Sequence, residues 1–383
     1  MRKILLFQYR DICYSSFLYF TQCLKREFEQ LGADVEVCSF TMDTLHELEC
    51  YIGKSFDMII DFNSILPGAV IDTGEYLLDK INAPFYNYLL DHPLYHHEYL
   101  KVRLQNYRAI CIDRDHATYV KHYYSHISKV LFLPLGGMGE SEETYAEQKY
   151  KVSLSGTYTS EEKIKTIIND LETDMSQRIY DLIDIMQSDF TGTFERAMKR
   201  LIEEKYKHFP MKNFAQAMHF HFLADMYSRA KSRHQVIEKI VSSGIELHVL
   251  GHGYDEYHGK GRENLIMHGA ATFSESFQFI RQSRISLNVL PGFKDGAHDR
   301  IFSAMLNRSV VLTDNSIYLN QKFTHEKDIL FYDIRELDNL PEIIKNSLST
   351  ETILEQIRNN AYHKVKLNHT WKKRCIDLLN DMD

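Results

Sequence analysis

The chain has 383 residues, 44% hydrophobic and 26% charged, with a formal net charge of −8. That balance describes a globular protein long enough for two domains, and it excludes disorder and low complexity. The negative sign excludes a broad nucleic-acid footprint and leaves room only for a local basic cleft. The six cysteines (Cys13, Cys23, Cys38, Cys50, Cys111, Cys375) make no C-x-x-C pair, and several fall in apolar runs. They read as buried thiols of a reducing compartment. Met1–Phe7 is too short for a signal-peptide core and reads as a first strand. No apolar run approaches the roughly 18–20 residues that span a membrane. The expectation is a soluble, cytoplasmic protein, with work at a membrane surface left open.

Strand and helix signals alternate over the first 135 residues. Lys3–Phe7, Asp34–Ser39, Met58–Phe62, Pro84–Leu90, Arg108–Ile112 and Lys129–Leu133 read as strands, and Ser16–Leu31 as an amphipathic helix stopped by Gly32. Strands separated by helices imply parallel pairing with right-handed crossovers, a Rossmann-like sheet. Leu133-Pro134-Leu135-Gly136-Gly137-Met138-Gly139 and the acidic run Glu140–Glu143 mark a linker. A strand at Lys151–Tyr158 opens a second domain. A helical block follows over 160–243, broken near Thr191-Gly192 and Phe209-Pro210, with little chemical signal. Strands then resume at Glu246–Leu250, Asn264–His268, Ile285–Leu290, Ser309–Thr313 and Ile329–Tyr332, and helices close the chain. The boundaries read 1–140, 141–360 and a C-terminal helix 361–383.

The most informative stretch is Arg284–Met305. A short apolar strand runs into Pro291-Gly292-Phe293-Lys294-Asp295-Gly296-Ala297, then a helix that opens with His298, Asp299 and Arg300. A glycine loop leading into a helix N-terminus offers unsatisfied amides and a favourable dipole to an anion. His298 and Arg300 suit a phosphate. The plainer alternative is an ordinary strand-to-helix turn. Gly156-Thr157-Tyr158 and Gly251-His252-Gly253 end strands in the same way, either as close approaches to a diphosphate or as tight turns. Asn288 stands at the end of its strand.

Asp295–Leu306, running into Val310–Asp314, resembles the C-terminal signature of bacterial glycosyltransferases of the diverged group-1 type, the spore-maturation-protein-like set. Asp91-His92-Pro93-Leu94-Tyr95, Asp113–His116 and Leu265–Gly269 agree with it in order and spacing. The resemblance implies a GT-B architecture: α/β, two Rossmann-like domains facing a cleft, with the helical block as an insertion in the second. It implies a nucleoside-diphosphate sugar, UDP sugars among the candidates, on the C-terminal domain. The acceptor would be a glycan, a lipid-linked group or a protein. Neither metal nor resident cofactor is implied, and the chain would be a hexosyltransferase-like enzyme. Donor contacts fall on Gly156, Thr157, Tyr158, Gly251, Asn288, Pro291, Gly292, Gly296, His298, Asp299, Arg300 and Ser303. Relatives often carry an acidic residue at the position of Ser303 to hold the ribose, so either Asp299 takes that role or the contact is absent. Arg308 also departs, where many relatives have a small residue.

Asp91 and His92 are the candidates for a base on the acceptor hydroxyl. The structural alternative is that Asp91 caps the following helix, with Pro93 at its first position. Asp113-Arg114-Asp115 invites a metal reading, but Asp115 is placed to cap the next helix. The pairs His92–His96 and His122–His126 have the spacing of a zinc face without a complete ligand set. No Walker loop or nucleophile elbow is present. An epimerase on the same fold and a non-catalytic nucleotide- or glycan-binding relative remain the alternatives.

Overall fold

The computed structural model describes residues 1–10, 16–139, 147–189, 192–206 and 208–382. Cys13, the acidic run Glu140–Glu143 with the boundary at 140, and the helix break at Thr191 lie outside the described residues. The chain forms two compact units. One comprises Met1–Gly136, Phe214–His219 and Thr370–Asp383, the other Gly137–Asn213 and Phe220–His369.

The first unit is a sheet of β1 (Lys3–Tyr9), β2 (Asp34–Phe40), β3 (Met58–Phe62), β4 (Phe85–Leu89), β5 (Tyr107–Cys111) and β6 (Lys129–Phe132). Its order is β2-β1-β3-β4-β5-β6, parallel throughout. Every residue of β3 and β4 is buried, as expected of central parallel strands covered on both faces. Two buried polar residues interrupt these apolar runs. Asp61 accepts from Phe62 N (2.9 Å) and from Ser64 Oγ (2.7 Å). Asn87 accepts from Ser64 N (2.9 Å) and donates to Tyr107 Oη (3.1 Å). These bonds pin the chain as it leaves β3.

The second unit is a sheet of β7 (Tyr150–Ser155), β8 (Leu247–Leu250), β9 (Leu265–Met267), β10 (Ser283–Asn288), β11 (Val310–Asp314) and β12 (Leu330–Tyr332). It too is parallel, in the order β12-β11-β10-β7-β8-β9. The helical block lies between β7 and β8 and ends in the helix Phe222–Val241, whose Val236, Ile237, Ile240 and Val241 enter the core beneath the sheet.

The C-terminal helix expected over 361–383 is instead two elements, Glu351–Asn368 and Trp371–Met382. The chain breaks at His369 (φ −131°, ψ 33°). Beyond the break, Trp371 is buried against Phe20 and Phe62, with ring centroids 5.6 and 6.4 Å away. Arg374 Nε also donates to the Pro134 carbonyl (2.5 Å). These contacts hold the last helix on the first unit. Among the described residues five cysteines are unpaired. Cys23, Cys111 and Cys375 are buried, Cys38 is half-buried, and Cys50 departs from the expectation by lying exposed.

In an open α/β sheet, ligands bind beyond the carboxyl ends of strands where the strand order reverses. Here that reversal lies between β1 and β3 in one sheet and between β7 and β10 in the other. Asn63 follows β3 and Gly156 follows β7, so both stand at these points.

Burial pushes the Asp61 carboxyl up to about 7, against the bonds from Ser64 and Phe62. A carboxyl whose folded pKa is raised is fully stabilising only below its unfolded value of about 3.9, and the contribution is lost as pH rises toward 7. Asn at this position keeps an acceptor for Phe62 N and donates to Ser64 Oγ. Asp61→Asn is therefore expected to raise the Tm at pH 8 by a few degrees and to give little or no gain at pH 5. Melting curves at both pH values test this. A variant less stable than the parent at pH 8 would contradict it.

Candidate functional site

The loops after β7 and β8 meet at glycine. Gly156 donates to the Leu250 carbonyl (2.9 Å), Gly251 to the Gly269 carbonyl (2.8 Å), and Tyr158 to the His252 carbonyl (2.9 Å). Gly251 has φ +142°, and a Cβ there would lie 2.3 Å from the Gly156 oxygen. Gly156 has φ +136°, and its Cβ would meet the Arg300 guanidinium at 3.4 Å. Glycine thus lets the end of β7 approach Arg300 closely.

Arg300 sits in the first turn of the helix Asp299–Leu306. Its guanidinium makes no hydrogen bond or ion pair among the described residues. Arg233, from the helix Phe222–Val241, donates to the Thr157 carbonyl. Burial lowers the Arg233 pKa, Arg300 and Arg229 push it the same way, and Tyr254 and Tyr332 pull against them. Arg229 pairs with Asp225 (2.9 Å), and a Cβ on Gly292 would lie 3.5 Å from its Cδ. Three arginines from two helices therefore collect beside the carboxyl ends of β7 and β10. Like charges gathered this way disfavour one another until an anion joins them.

A small cavity of about 10 Å³, room for one water, is lined by Ser155, Ser286, Asn288 and Arg300 together with Ile280 and Ala304. Ser155 Oγ and Asn288 Oδ1 are buried without a partner. Asn288 Nδ2 donates to Thr313 Oγ1 (3.0 Å), and the Asn288 backbone carbonyl accepts from Tyr332 Oη (3.1 Å). The loop after β10 turns at Leu290–Phe293, where Phe293 N donates to the Leu290 carbonyl (3.0 Å), so Pro291 and Gly292 are turn residues. The Asp314 carboxyl accepts from Leu290 N (2.6 Å) and is pushed up to about 6 by burial. The Gly296 carbonyl accepts from Ser316 Oγ (2.8 Å).

His298 caps the helix. Its Nδ1 lies 3.3 Å from Arg300 N and 2.7 Å from Asp299 Oδ1. One nitrogen cannot accept from the amide and donate to the carboxylate together; the shorter contact is the imidazole–carboxylate pair. Burial raises the Asp299 pKa, but His298 and Arg300 outweigh it and hold the carboxyl below its usual value.

Three expectations change here. Asp299 is 3% exposed and turned to His298, so it is not presented to a ribose. Ser303 is 1% exposed and accepts from Met138 N (3.0 Å), which makes it a tie within the unit. Tyr158 packs into the core against Tyr254 (5.6 Å, stacked), and its hydroxyl meets His234 Nδ1 (2.8 Å). Only its backbone belongs to the glycine loops.

On the first unit, the cap of the turn after β4 is His92, whose Nδ1 accepts from Leu94 N (3.0 Å), and not Asp91. The His92 ring packs 4.5 Å from His116 and 5.2 Å from Tyr119. Asp91 accepts from Asn63 Nδ2 (3.0 Å). Asp113, rather than Asp115, caps the helix Arg114–Tyr123, accepting from Asp115 N (2.7 Å) and His116 N (3.4 Å). His126 Nε2 meets the Leu100 and Val102 carbonyls at 2.9 and 3.0 Å. Among the described residues no three His, Cys, Asp or Glu side chains converge as a metal set, and no helix is long and apolar enough to cross a membrane.

Arg229 and Arg233 went unmarked in the sequence, although a signal is there. Arg233 lies three, four and seven residues before Val236, Ile237 and Ile240, which puts a guanidinium beside the apolar stripe of its helix.

Two parallel sheets with flanking helices, each with a reversal of strand order, define the fold as the two-Rossmann GT-B type seen in glycosyltransferases. Residues 229–380 match the family model described as glycosyl transferase-like. No curated protein sequence matches the chain. Sucrose-phosphate synthase from Thermosynechococcus elongatus is similar over 99% of this chain and 98% of its own, with TM-score 0.56 and 9% identity. HepE of Anabaena, solved in complex with UDP and glucose, is similar over 100% of both chains, with TM-score 0.54 and 12% identity. An alpha-glucosyltransferase solved with UDP and a 13-mer DNA covers 100% of this chain and 99% of its own, with TM-score 0.54 and 13% identity. At such identities the likeness is one of fold.

Gly251→Ala places a Cβ against the Gly156 oxygen at a left-handed backbone. It is expected to cost about 1–3 kcal/mol and to lower the Tm measurably. An unchanged melting curve would contradict the close approach of these loops.

Proposed function

We propose that the protein transfers a sugar from a nucleoside-diphosphate donor, a UDP sugar first among the candidates, to an acceptor hydroxyl. The observation that carries this reading is the group of Arg300, Arg233 and Arg229 beside Gly156 and Thr157. A diphosphate brings negative charge to this group, and guanidinium pairs it bidentately. When the sugar leaves, charge develops on that diphosphate and the arginines offset it, a role that calls for no metal ion. His298, oriented by Asp299, adds a donor at the same helix end. The backbone at Gly156, Thr157, Gly251, Gly292 and Gly296 shapes the loops, and Asn288 offers its free carbonyl oxygen. Pro291 holds the turn. No resident cofactor is part of the proposal; the nucleotide sugar is a co-substrate.

Asp91 is the proposed base for the acceptor hydroxyl. His92 is the weaker candidate because its Nδ1 caps the following turn and its ring is packed. The acceptor is a glycan, a lipid-linked group or a protein, since the charge of −8 opposes a nucleic acid. The unpaired cysteines favour a reducing compartment, hence the cytoplasm. The narrower likeness to spore-maturation-type transferases rests on Asp295–Leu306 running into Val310–Asp314, with Asp91–Tyr95, Asp113–His116 and Leu265–Gly269 in agreement.

Calorimetry with UDP, GDP, CDP and TDP, each with EDTA present, tests the donor half. One nucleotide should bind with EDTA present, and Arg300→Ala or Arg233→Ala should each weaken it by about tenfold, or 1.4 kcal/mol. Asp91→Asn should leave that affinity within about twofold while abolishing transfer, since a general base contributes roughly 100-fold or more. Full nucleotide affinity in both arginine variants would sink the donor assignment.

A further inference from the structure

Asn63 has φ +44°, a left-handed backbone that asparagine tolerates better than most residues. It is the residue after β3, at the reversal of strand order in the first sheet. The backbone there is held from several sides. Asn63 N donates to the Tyr88 carbonyl (2.9 Å). Ser64 bonds Asp61 and Asn87 as described, and Leu66 N donates to Ser64 Oγ (3.1 Å). An unusual backbone so firmly fixed calls for a reason beyond the turn itself.

The side chain supplies it. Asn63 Oδ1 accepts from Leu90 N (2.8 Å), and Asn63 Nδ2 donates to Asp91 Oδ2 (3.0 Å). These two bonds settle which way the amide faces, because the reversed orientation would set an oxygen against the carboxylate and an NH₂ against an N–H. One residue therefore grips both the end of β4 and the carboxylate that follows it. Asp91 Oδ1 has no hydrogen-bond partner among the described residues, so one oxygen is held and the other is left to act.

We propose that Asn63 is a positioning residue for Asp91. It fixes the carboxylate's rotamer through Nδ2 and its backbone through Oδ1, so that Oδ1 of Asp91 meets the acceptor hydroxyl in one orientation. The inference rests on the reading of Asp91 as the base. Holding a base in place governs rate more than affinity, and a misplacement of about 1 Å can cost 100-fold.

Two variants separate the parts. Asn63→Gly keeps the left-handed backbone and removes both bonds. Asn63→Asp tolerates the same backbone and can still accept from Leu90 N, but sets a carboxylate against Asp91 where the donor was. The contact itself is read from the ¹³C-carboxylate resonance of Asp91 in labelled full-length protein, assigned by its loss in Asp91→Asn. It should move in both variants, and an unmoved resonance overturns the proposal without any need for turnover. The role is read from hydrolysis of UDP-glucose, with water as acceptor, beside calorimetric UDP affinity and the Tm. Asn63→Asp should slow turnover by about tenfold or more, with UDP affinity within about twofold of the parent. A rate within twofold of the parent, while Asp91→Asn is inactive, overturns the positioning role and leaves the base assignment standing. Full activity in Asp91→Asn overturns the base assignment and this inference with it.

Discussion

Mutual repulsion among guanidinium groups is the constraint on which the second unit's chemistry depends. Arg300, Arg233 and Arg229 gather at one end of a sheet, where Arg229 pairs with Asp225. Burial makes the arrangement costlier for Arg233, whose pKa is drawn down. Such a group is tolerable when backbone geometry fixes it and an anion completes it. The geometry comes from glycine: Gly251 brings its loop against the Gly156 carbonyl at a distance a Cβ would forbid, and Gly156 lies beside the Arg300 guanidinium. Asp299 is buried and paired with His298 at the start of the Arg300 helix.

The first unit places its polar chemistry at the corresponding point of its own sheet. Buried Asp61 and Asn87 tie down the turn after β3, and Asn63 at that turn reaches the carboxylate after β4. The same logic serves both units. Apolar parallel strands set the ends of the sheet, and a few buried polar residues hold the turns there in place.

Much of this was legible in the sequence. Apolar runs such as Met58–Ile60 and Val310–Leu312 marked central parallel strands, and the glycines after β7 and β10 marked where those strands end. What was not legible depended on partners distant in the chain. Arg233 belongs with Thr157, 76 residues away, and nothing local in the helical block announces that. Tyr158 looked like a donor contact from its place after Gly156, yet its ring faces the core because His234 and Tyr254 wait there. Ser303 looked like a lost acid and is a tie to Met138. Asn63 carried no motif; only its left-handed backbone and its two side-chain bonds mark it. The final helix read as one piece because no proline or glycine marks the break at His369; the burial of Trp371 decides it.

The most direct measurement is a crystal structure of the protein soaked with UDP. The account predicts diphosphate oxygens within hydrogen-bonding distance of the Arg300 and Arg233 guanidinium groups, beside Gly156 and Thr157. A nucleotide bound elsewhere, with these arginines untouched, would contradict it.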